Sequence, residues 1–236
     1  MRQDHPSQWR DADRAENSVL AAALVGARSL PILDFNEADM VRKLGSIKTR
    51  LRTAFAAACA ERLAPAYDKF FKVSGRGDAR KLGQLRERLW GNIEGRILNA
   101  PISEEEVDAC MDLIPSQDDA PWVPEQAYAE DAAAALAYAL RCWRTDDPQE
   151  AAWAARRAFE AVDQFVIRRE RINLNDPNQA GRVASHQIVQ AELARQKRDL
   201  DELTQVSAEG MLDLIIRIRD RAQREAPHVF SGANRG

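Results

Sequence analysis

The stretch AAAALAYAL at residues 132–140 contains no charged side chain and no residue that breaks a helix. Alanine and leucine are strong helix formers, and a helix without charge on any face is buried around most of its circumference. This stretch therefore predicts a helix at the centre of the fold. We expect four large apolar side chains from other segments to pack around it, namely Leu89, Phe159, Ile215 and Ile218.

Helical patterns continue on both sides of this stretch. Apolar residues recur every three or four positions from Leu82 to Ile97 and along the segment that begins at Ser46, which is the spacing of a helix face. Side chains that cap helix starts precede several of these patterns, namely Asp78, Ser103 with Glu106, and Asp147 before Pro148. We expect Pro65 to end or kink the helix that begins at Ser46.

These patterns predict an all-α protein, a compact helical bundle of about seven or eight helices. Residues that favour strands are sparse, and the alternative architecture is an α+β protein. We expect a single domain at residues 45–236 and an N-terminal helical extension at residues 1–44, which has a polar, partly mobile start and one amphipathic helix from Val19 to Leu30. That helix packs either on its own domain or across a homodimer contact.

Composition and charge exclude several classes of function. Of the 236 residues, 45% are hydrophobic and 30% are charged, and no uncharged apolar stretch approaches the ~20 residues of a membrane span. A basic start followed by an apolar run and a cleavage site is missing, so we expect a cytoplasmic protein. The net charge of -3, with both signs interleaved, offers no basic field to a nucleic acid.

Residue types that carry chemistry are few. The three histidines lie outside any HExxH motif, and the three cysteines, at positions 59, 110 and 142, lack the close spacing of a zinc site. The sequence has neither a phosphate-binding glycine loop nor a GxSxG nucleophile motif. We therefore predict no catalytic residue, no metal and no cofactor, and the sequence favours a protein that is not an enzyme.

Five polar residues occupy helical positions where the pattern expects apolar ones. They are Glu61, Arg62, Asp131, Glu192 and Gln196. Side chains of this kind on different helices can meet inside a bundle. One interpretation is a satisfied polar network that sets the helix register, and the other is an interhelical pocket that binds a ligand.

Three separate segments carry a resemblance to a known family. They are FAAACAERLAPAY at residues 55–67 with Phe70, Gly75 and Leu89-Trp90, then IPSQDD at residues 114–119 with AEDA at residues 129–132, and VQAE at residues 189–192 with Gln196, Asp199, Leu200 and Leu203. In this order and spacing they resemble the YjaG-like family, domain of unknown function 416. The resemblance covers roughly residues 45–230, and it makes Tyr67, Trp90 and Asp119 structural signature positions.

The resemblance implies a compact, all-helical bacterial protein without an assigned activity, with gene-neighbourhood hints of a link to signalling. We expect a cytoplasmic adaptor or regulator that binds another protein, either in signalling or as an immunity-type protein that covers a toxin. The alternative is a small-molecule sensor or enzyme that uses the polar pocket, with Arg62 pairing an anion and a carboxylate acting as acid or base. Neither nucleic acid nor membrane is an expected partner.

Trp90 carries a structural prediction of its own. Its neighbours four positions away, Arg86 and Glu94, are charged, so periodicity alone places Trp90 beside the apolar stripe. We expect the ring to be buried and its indole N–H to find an acceptor. The candidates are the acidic pair at positions 118 and 119, and an interhelical carboxylate such as Glu61.

Overall fold

The computed structural model describes residues 32–97, 100–116 and 121–230, which form nine α-helices and one short 3-10 helix, with no strand. In chain order the helices are α1 (Glu37–Gly45), α2 (Thr49–Ser74), α3 (Ala79–Ile93), α4 (Glu104–Met111), α5 (Glu125–Thr145), α6 (Pro148–Glu170), α7 (Pro177–Ala184), α8 (Gln187–Gln205) and α9 (Met211–Glu225), followed by the 3-10 helix Ala226–His228. The predicted all-α class is confirmed.

All of these residues except Ile32 belong to one compact unit that begins at Leu33. The predicted amphipathic helix from Val19 to Leu30 and the polar start before it lie outside the described residues. Residues 37–44, the last part of the predicted extension, belong to α1, which packs against α6. The boundary between extension and domain stays a prediction.

Helix α2 lies at the centre of the unit. Every residue from Leu51 to Ala64 is buried, because α3, α5, α6, α8 and α9 all pack around this helix. Residues 132–140 are buried as predicted, apart from the half-buried Tyr138, and their helix α5 shares its largest interface with α2. The expectation that residues 132–140 form the central helix was wrong, because α2 holds that position. Three buried charged residues of α2, Arg52, Glu61 and Arg62, conceal its burial in the sequence.

The positions of the four apolar side chains that were expected to pack around residues 132–140 follow from this arrangement. Leu89 is fully buried, and Phe159 is half-buried against the core. Ile215 and Ile218 are buried on α9, whose main partner is α2, so they pack against the central helix and not around residues 132–140.

Pro65 does not end α2, which continues for nine further residues to Ser74. Proline inside a helix removes one N–H donor and costs roughly 3 kcal/mol. Burial of Tyr67 and Phe70 beyond it offsets this cost. The helix ends at Gly75, which has a φ of 68° and whose N–H donates to the Phe71 carbonyl at 2.9 Å.

The predicted helix caps are confirmed. Asp78 accepts from the Lys81 N–H at 2.8 Å, and Asp147 accepts from the Gln149 N–H at 2.9 Å before a proline at the first helical position. Ser103 and Glu106 form the reciprocal capping box. The segment from Val183 to Leu203 is divided between α7 and α8, because the His186 ring accepts from the Ile188 N–H and starts a new helix.

Within the described ranges no helix combines the length and apolarity needed to cross a membrane.

Candidate functional site

The five predicted polar residues lie at three separate places in the fold. Arg62, Glu192 and Gln196 meet between α2 and α8, Glu61 faces α3, and Asp131 faces α6. All five are buried. The structure therefore brings three of them together and places the other two in contacts of their own.

Arg62 is the centre of the first group and has no solvent-exposed surface. Its Nη1 donates to Asp199 Oδ2 at 2.9 Å and its Nη2 donates to Glu192 Oε1 at 3.2 Å. Gln196 Nε2 donates to the same Glu192 oxygen at 3.0 Å. Burial alone would lower the pKa of the guanidinium, but the negative charges of Glu192, Asp199 and Glu225 raise it above its ordinary value, so Arg62 stays charged.

A second layer of charges surrounds this group. Asp199 Oδ1 accepts from Arg221 at 2.7 Å and from Arg198 at 3.0 Å, and Arg198 also contacts Glu225 at 2.9 Å. Arg221 pairs with Glu202 at 2.9 Å. The resulting network, which we call the Arg62 network, joins α2, α8 and α9. It consists of four guanidinium groups and four carboxylates, Arg62, Arg195, Arg198, Arg221, Glu192, Asp199, Glu202 and Glu225.

Sequence reasoning did not place Asp199 in the site. It noted Asp199 only within the family segment, although the residue is three positions after Gln196 and seven after Glu192. That spacing puts all three on one face of a helix. The spacing of these three residues in the sequence could therefore have predicted that Asp199 belongs to the site.

Glu61 belongs to a contact with the buried tryptophan of α3. Trp90 Nε1 donates to Glu61 Oε2 at 2.9 Å, which confirms the predicted acceptor, and Arg86 Nε lies 3.2 Å from the same oxygen. The Arg219 guanidinium lies over the indole ring, 5.6 Å from its centroid. Trp90 is fully buried, so its ring packs inside the protein and takes no part in a surface. The alternative acceptors at positions 118 and 119 lie outside the described residues.

Tyr67, the second signature position, ties the end of α2 to two loops. Its hydroxyl donates to the Leu113 carbonyl at 2.9 Å and accepts from the Asp78 N–H at 3.4 Å. Gly77 passes directly over this hydroxyl with a φ of 77°, and a Cβ atom there would lie 2.5 Å from the oxygen. The third signature position, Asp119, lies outside the described residues.

Asp131 lies on α5 and pairs with a residue of α6. Its Oδ1 lies 3.3 Å from Arg157 Nη1, while its buried Oδ2 has no hydrogen-bond partner among the described residues. Burial raises the pKa of Asp131 to about 7, and the positive charge of Arg157 opposes that rise. The carboxyl group is therefore poised to change charge near neutral pH.

The arrangement offers little for metal or thiol chemistry. No group of three histidine, cysteine or acidic side chains that could hold a metal ion occurs in the described part of the chain. The three cysteines are buried and unpaired, and burial raises the pKa of Cys59 and of Cys110 to about 12 and that of Cys142 to about 11. A thiol with so high a pKa is a poor nucleophile at neutral pH.

A cavity lies beside the Arg62 network. Gln196 lines a cavity of about 200 Å³ between the segment from Leu33 to Lys43 and helix α8. None of the other four predicted polar residues lines this cavity.

An aromatic surface lies near the start of α5. Trp122 is 52% exposed, and the Arg168 guanidinium lies 5.4 Å from its ring centroid and 5.3 Å from that of Tyr128. Tyr128 in turn packs against Phe165 and Phe230, with ring centroids 6.2 and 5.3 Å away. We call these five residues the Trp122 surface. Sequence reasoning missed it, because the five positions are far apart in the chain.

The Trp122 surface borders a groove of about 250 Å³. Its apolar walls include Pro65, Ala66 and Phe230, and its charged side chains are Lys69 and Glu125, which pair with each other at 3.2 Å.

Comparisons with known proteins agree with this architecture. A model described as protein of unknown function (DUF416) matches residues 39–226. The crystal structure of a DUF416 family protein from Shewanella baltica OS155 has the same fold, with a TM-score of 0.64 at 20% sequence identity, over 77% of this chain and 93% of that chain. A comparison with curated protein sequences finds no match. Because the family model spans most of the helical unit, the chain belongs to the DUF416 family.

Proposed function

We propose that the protein is an adaptor or regulator without enzymatic activity of its own, which binds a partner protein through the Trp122 surface. The exposure of Trp122, 52% of its area, is the observation that carries this proposal. Tryptophan, tyrosine and arginine are the residues most enriched at the energetic centres of protein interfaces, and this surface presents all three side by side.

The surface is held in one arrangement before any partner binds. Arg168 lies against both Trp122 and Tyr128, and its Nη1 donates to the Pro124 carbonyl at 3.1 Å. The Tyr128 ring packs against the rings of Phe165 and Phe230. Side chains that are ordered in advance lose less entropy on binding, which favours affinity.

Charge at the surface defines the chemistry of the partner. Arg168 has no carboxylate partner among the described residues, whereas Lys69 is already paired with Glu125. A guanidinium that lies beside two aromatic rings, with no carboxylate partner in the described part of the chain, favours a carboxylate from a partner. We therefore propose a partner segment that places an apolar side chain in the groove and an acidic side chain on Arg168.

Capture from native lysate with the wild-type chain and two variants tests this proposal. Trp122→Ala should remove the captured partner, because truncating an interface tryptophan costs about 2 kcal/mol or more, roughly thirtyfold in affinity. The matched control is Leu174→Ala, since Leu174 is 58% exposed and lies outside the Trp122 surface. This variant should capture the partner as the wild type does.

The identity of the captured protein then separates the forms of the proposal. A toxin favours the immunity-type role, and a signalling protein favours a regulatory one. A captured protein that binds all three chains equally would contradict the assignment of the surface.

A second copy of the chain is the competing occupant. Light scattering over a range of concentrations detects it. A homodimer that the wild type forms and Trp122→Ala does not would replace the proposed heterologous partner with self-association through the same surface.

A further inference from the structure

The cavity beside Gln196 has the size and lining of a small-molecule site. Its volume is about 200 Å³, and its walls include the apolar side chains of Phe35, Met40, Leu193 and Leu200. Phe35 is fixed by stacking on Phe159, with ring centroids 5.2 Å apart and planes within 10° of each other. An apolar cavity of about 150 Å³ holds benzene in another protein, so this volume admits one small ring with a short substituent.

Gln196, one of the residues that line the cavity, has an unused hydrogen-bond acceptor. The residue is 1% exposed, and its Nε2 donates to the Ala155 carbonyl and to Glu192 Oε1, both at 3.0 Å. These two acceptors determine which end of the amide carries the hydrogens. The remaining atom, Oε1, is buried and has no partner among the described residues. A buried acceptor in this state is stabilised by a ligand that brings a hydrogen-bond donor.

The rim of the cavity carries a net negative charge. Lys43 pairs with Asp39 at 2.9 Å, and Lys197 pairs with Asp201. Asp34 also lines the cavity, is exposed, and has no ion pair among the described residues. Its carboxylate therefore favours a ligand with positive charge over a neutral or negative one.

We propose that this cavity binds a small apolar amine in its protonated form. The ammonium N–H donates to Gln196 Oε1, and the carboxylate of Asp34 attracts its charge. The apolar body of the amine contacts Phe35 and Leu193. This site lies apart from the Trp122 surface and goes beyond the proposed adaptor function, so either proposal can fail without the other.

Titration of the full-length, ¹⁵N-labelled chain tests the site with three ligands of matched size, which are benzylamine, benzyl alcohol and benzoate. Benzylamine should shift the amide resonances of the segment from Leu33 to Lys43 and of α8. It should bind about tenfold more tightly than benzyl alcohol, because a hydrogen bond from a charged donor is roughly twice as strong as one from a neutral donor. Benzoate should cause no shifts there.

Two variants separate the polar contacts. Gln196→Met removes the acceptor at similar volume and should abolish benzylamine binding. Asp34→Asn changes an exposed position, so the fold is kept while benzylamine binds about threefold more weakly and benzyl alcohol is unaffected. The matched control is Asp213→Asn, an exposed acidic residue on α9 outside the cavity, and it should change neither affinity.

Three results would overturn the proposal. The first is the absence of benzylamine shifts in these segments up to the solubility limit. The second is equal binding of benzylamine and benzoate. The third is unchanged benzylamine affinity in both Gln196→Met and Asp34→Asn.

Discussion

Replacing Arg62 by methionine tests whether the Arg62 network stabilises the fold. Methionine keeps most of the length of the side chain and removes its charge, at a position with no solvent exposure. Two carboxylates lose their contact with Arg62 Nη1 or Nη2, Asp199 at 2.9 Å and Glu192 at 3.2 Å. Asp199 retains Arg198 and Arg221, whereas Glu192 retains only Arg195 among its guanidinium partners, at 3.5 Å.

The loss of stability in Arg62→Met therefore comes mainly from Glu192, which loses its closest cationic partner. Removing one partner of a buried ion pair leaves an uncompensated charge and costs about 3 to 5 kcal/mol. We expect Arg62→Met to lower the free energy of unfolding by this amount. Adding Glu192→Gln to this variant should restore roughly half of the loss, because the neutral amide no longer needs a cation.

Chemical denaturation followed by far-ultraviolet circular dichroism measures these differences. The matched control is Arg156→Met on α6, since Arg156 is half-exposed and its ion pairs with Glu37 and Glu160 are on the surface. Exposed pairs contribute about 0 to 1 kcal/mol, so this variant should change stability little. The reasoning is refuted if Arg62→Met costs less than about 1 kcal/mol, or if Glu192→Gln restores none of the loss.

Further substitutions test the roles of three single residues. Trp90→Ala should lower the free energy of unfolding by about 3 to 5 kcal/mol in denaturant titrations, because the ring is fully buried. Trp90→Phe should lower it much less. Equal losses for the two variants would contradict this prediction. Burial raises the pKa of Asp131 to about 7, so the folded state of the wild type loses stability as the pH rises from about 4 to 7. Asp131→Asn does not titrate, so its free energy of unfolding should rise by about 3 kcal/mol relative to that of the wild type between about pH 5 and about pH 8. A pH-independent difference between the two unfolding curves would refute that assignment. Gly77→Ala should lower the melting temperature because its Cβ would meet the Tyr67 hydroxyl, whereas Gly83→Ala, in open space within α3, should raise it.

The sequence predicted helix starts well because their signals are local. Asp78 and Asp147 each accept from an N–H two or three positions along the chain, so the capping partner is chosen by the short segment itself. The same holds for Ser103 and Glu106, which satisfy each other's backbone groups. No knowledge of the remaining fold is needed to place these caps.

The extent of α2 was not predictable in this way. Pro65 is a strong local signal for a helix end, and it is overridden because the residues after it, Tyr67 and Phe70, bury large rings in the core. Glu61 and Arg62 occupy positions where the pattern expects apolar residues, and both are buried because partners from other helices neutralise them. Tertiary contacts decide both cases, and a single sequence does not display them.

The composition of α2 explains why a buried ionic network is useful in this fold. Most of the residues from Ala54 to Ala60 are alanines, whose small side chains give α2 a smooth surface. Such a surface resists sliding less than interlocking large side chains do.

A shift of α8 by one turn would move Glu192 about 5.4 Å along the helix axis and break its contact with Arg62. We infer that the Arg62 network selects the register that apolar packing alone leaves loosely specified. Gln196 shares the Glu192 oxygen with Arg62, so the same register also sets the wall of the proposed amine cavity. The variant Arg62→Met with Glu192→Gln tests this inference, because a single sharp set of amide resonances from it would argue against a role in register.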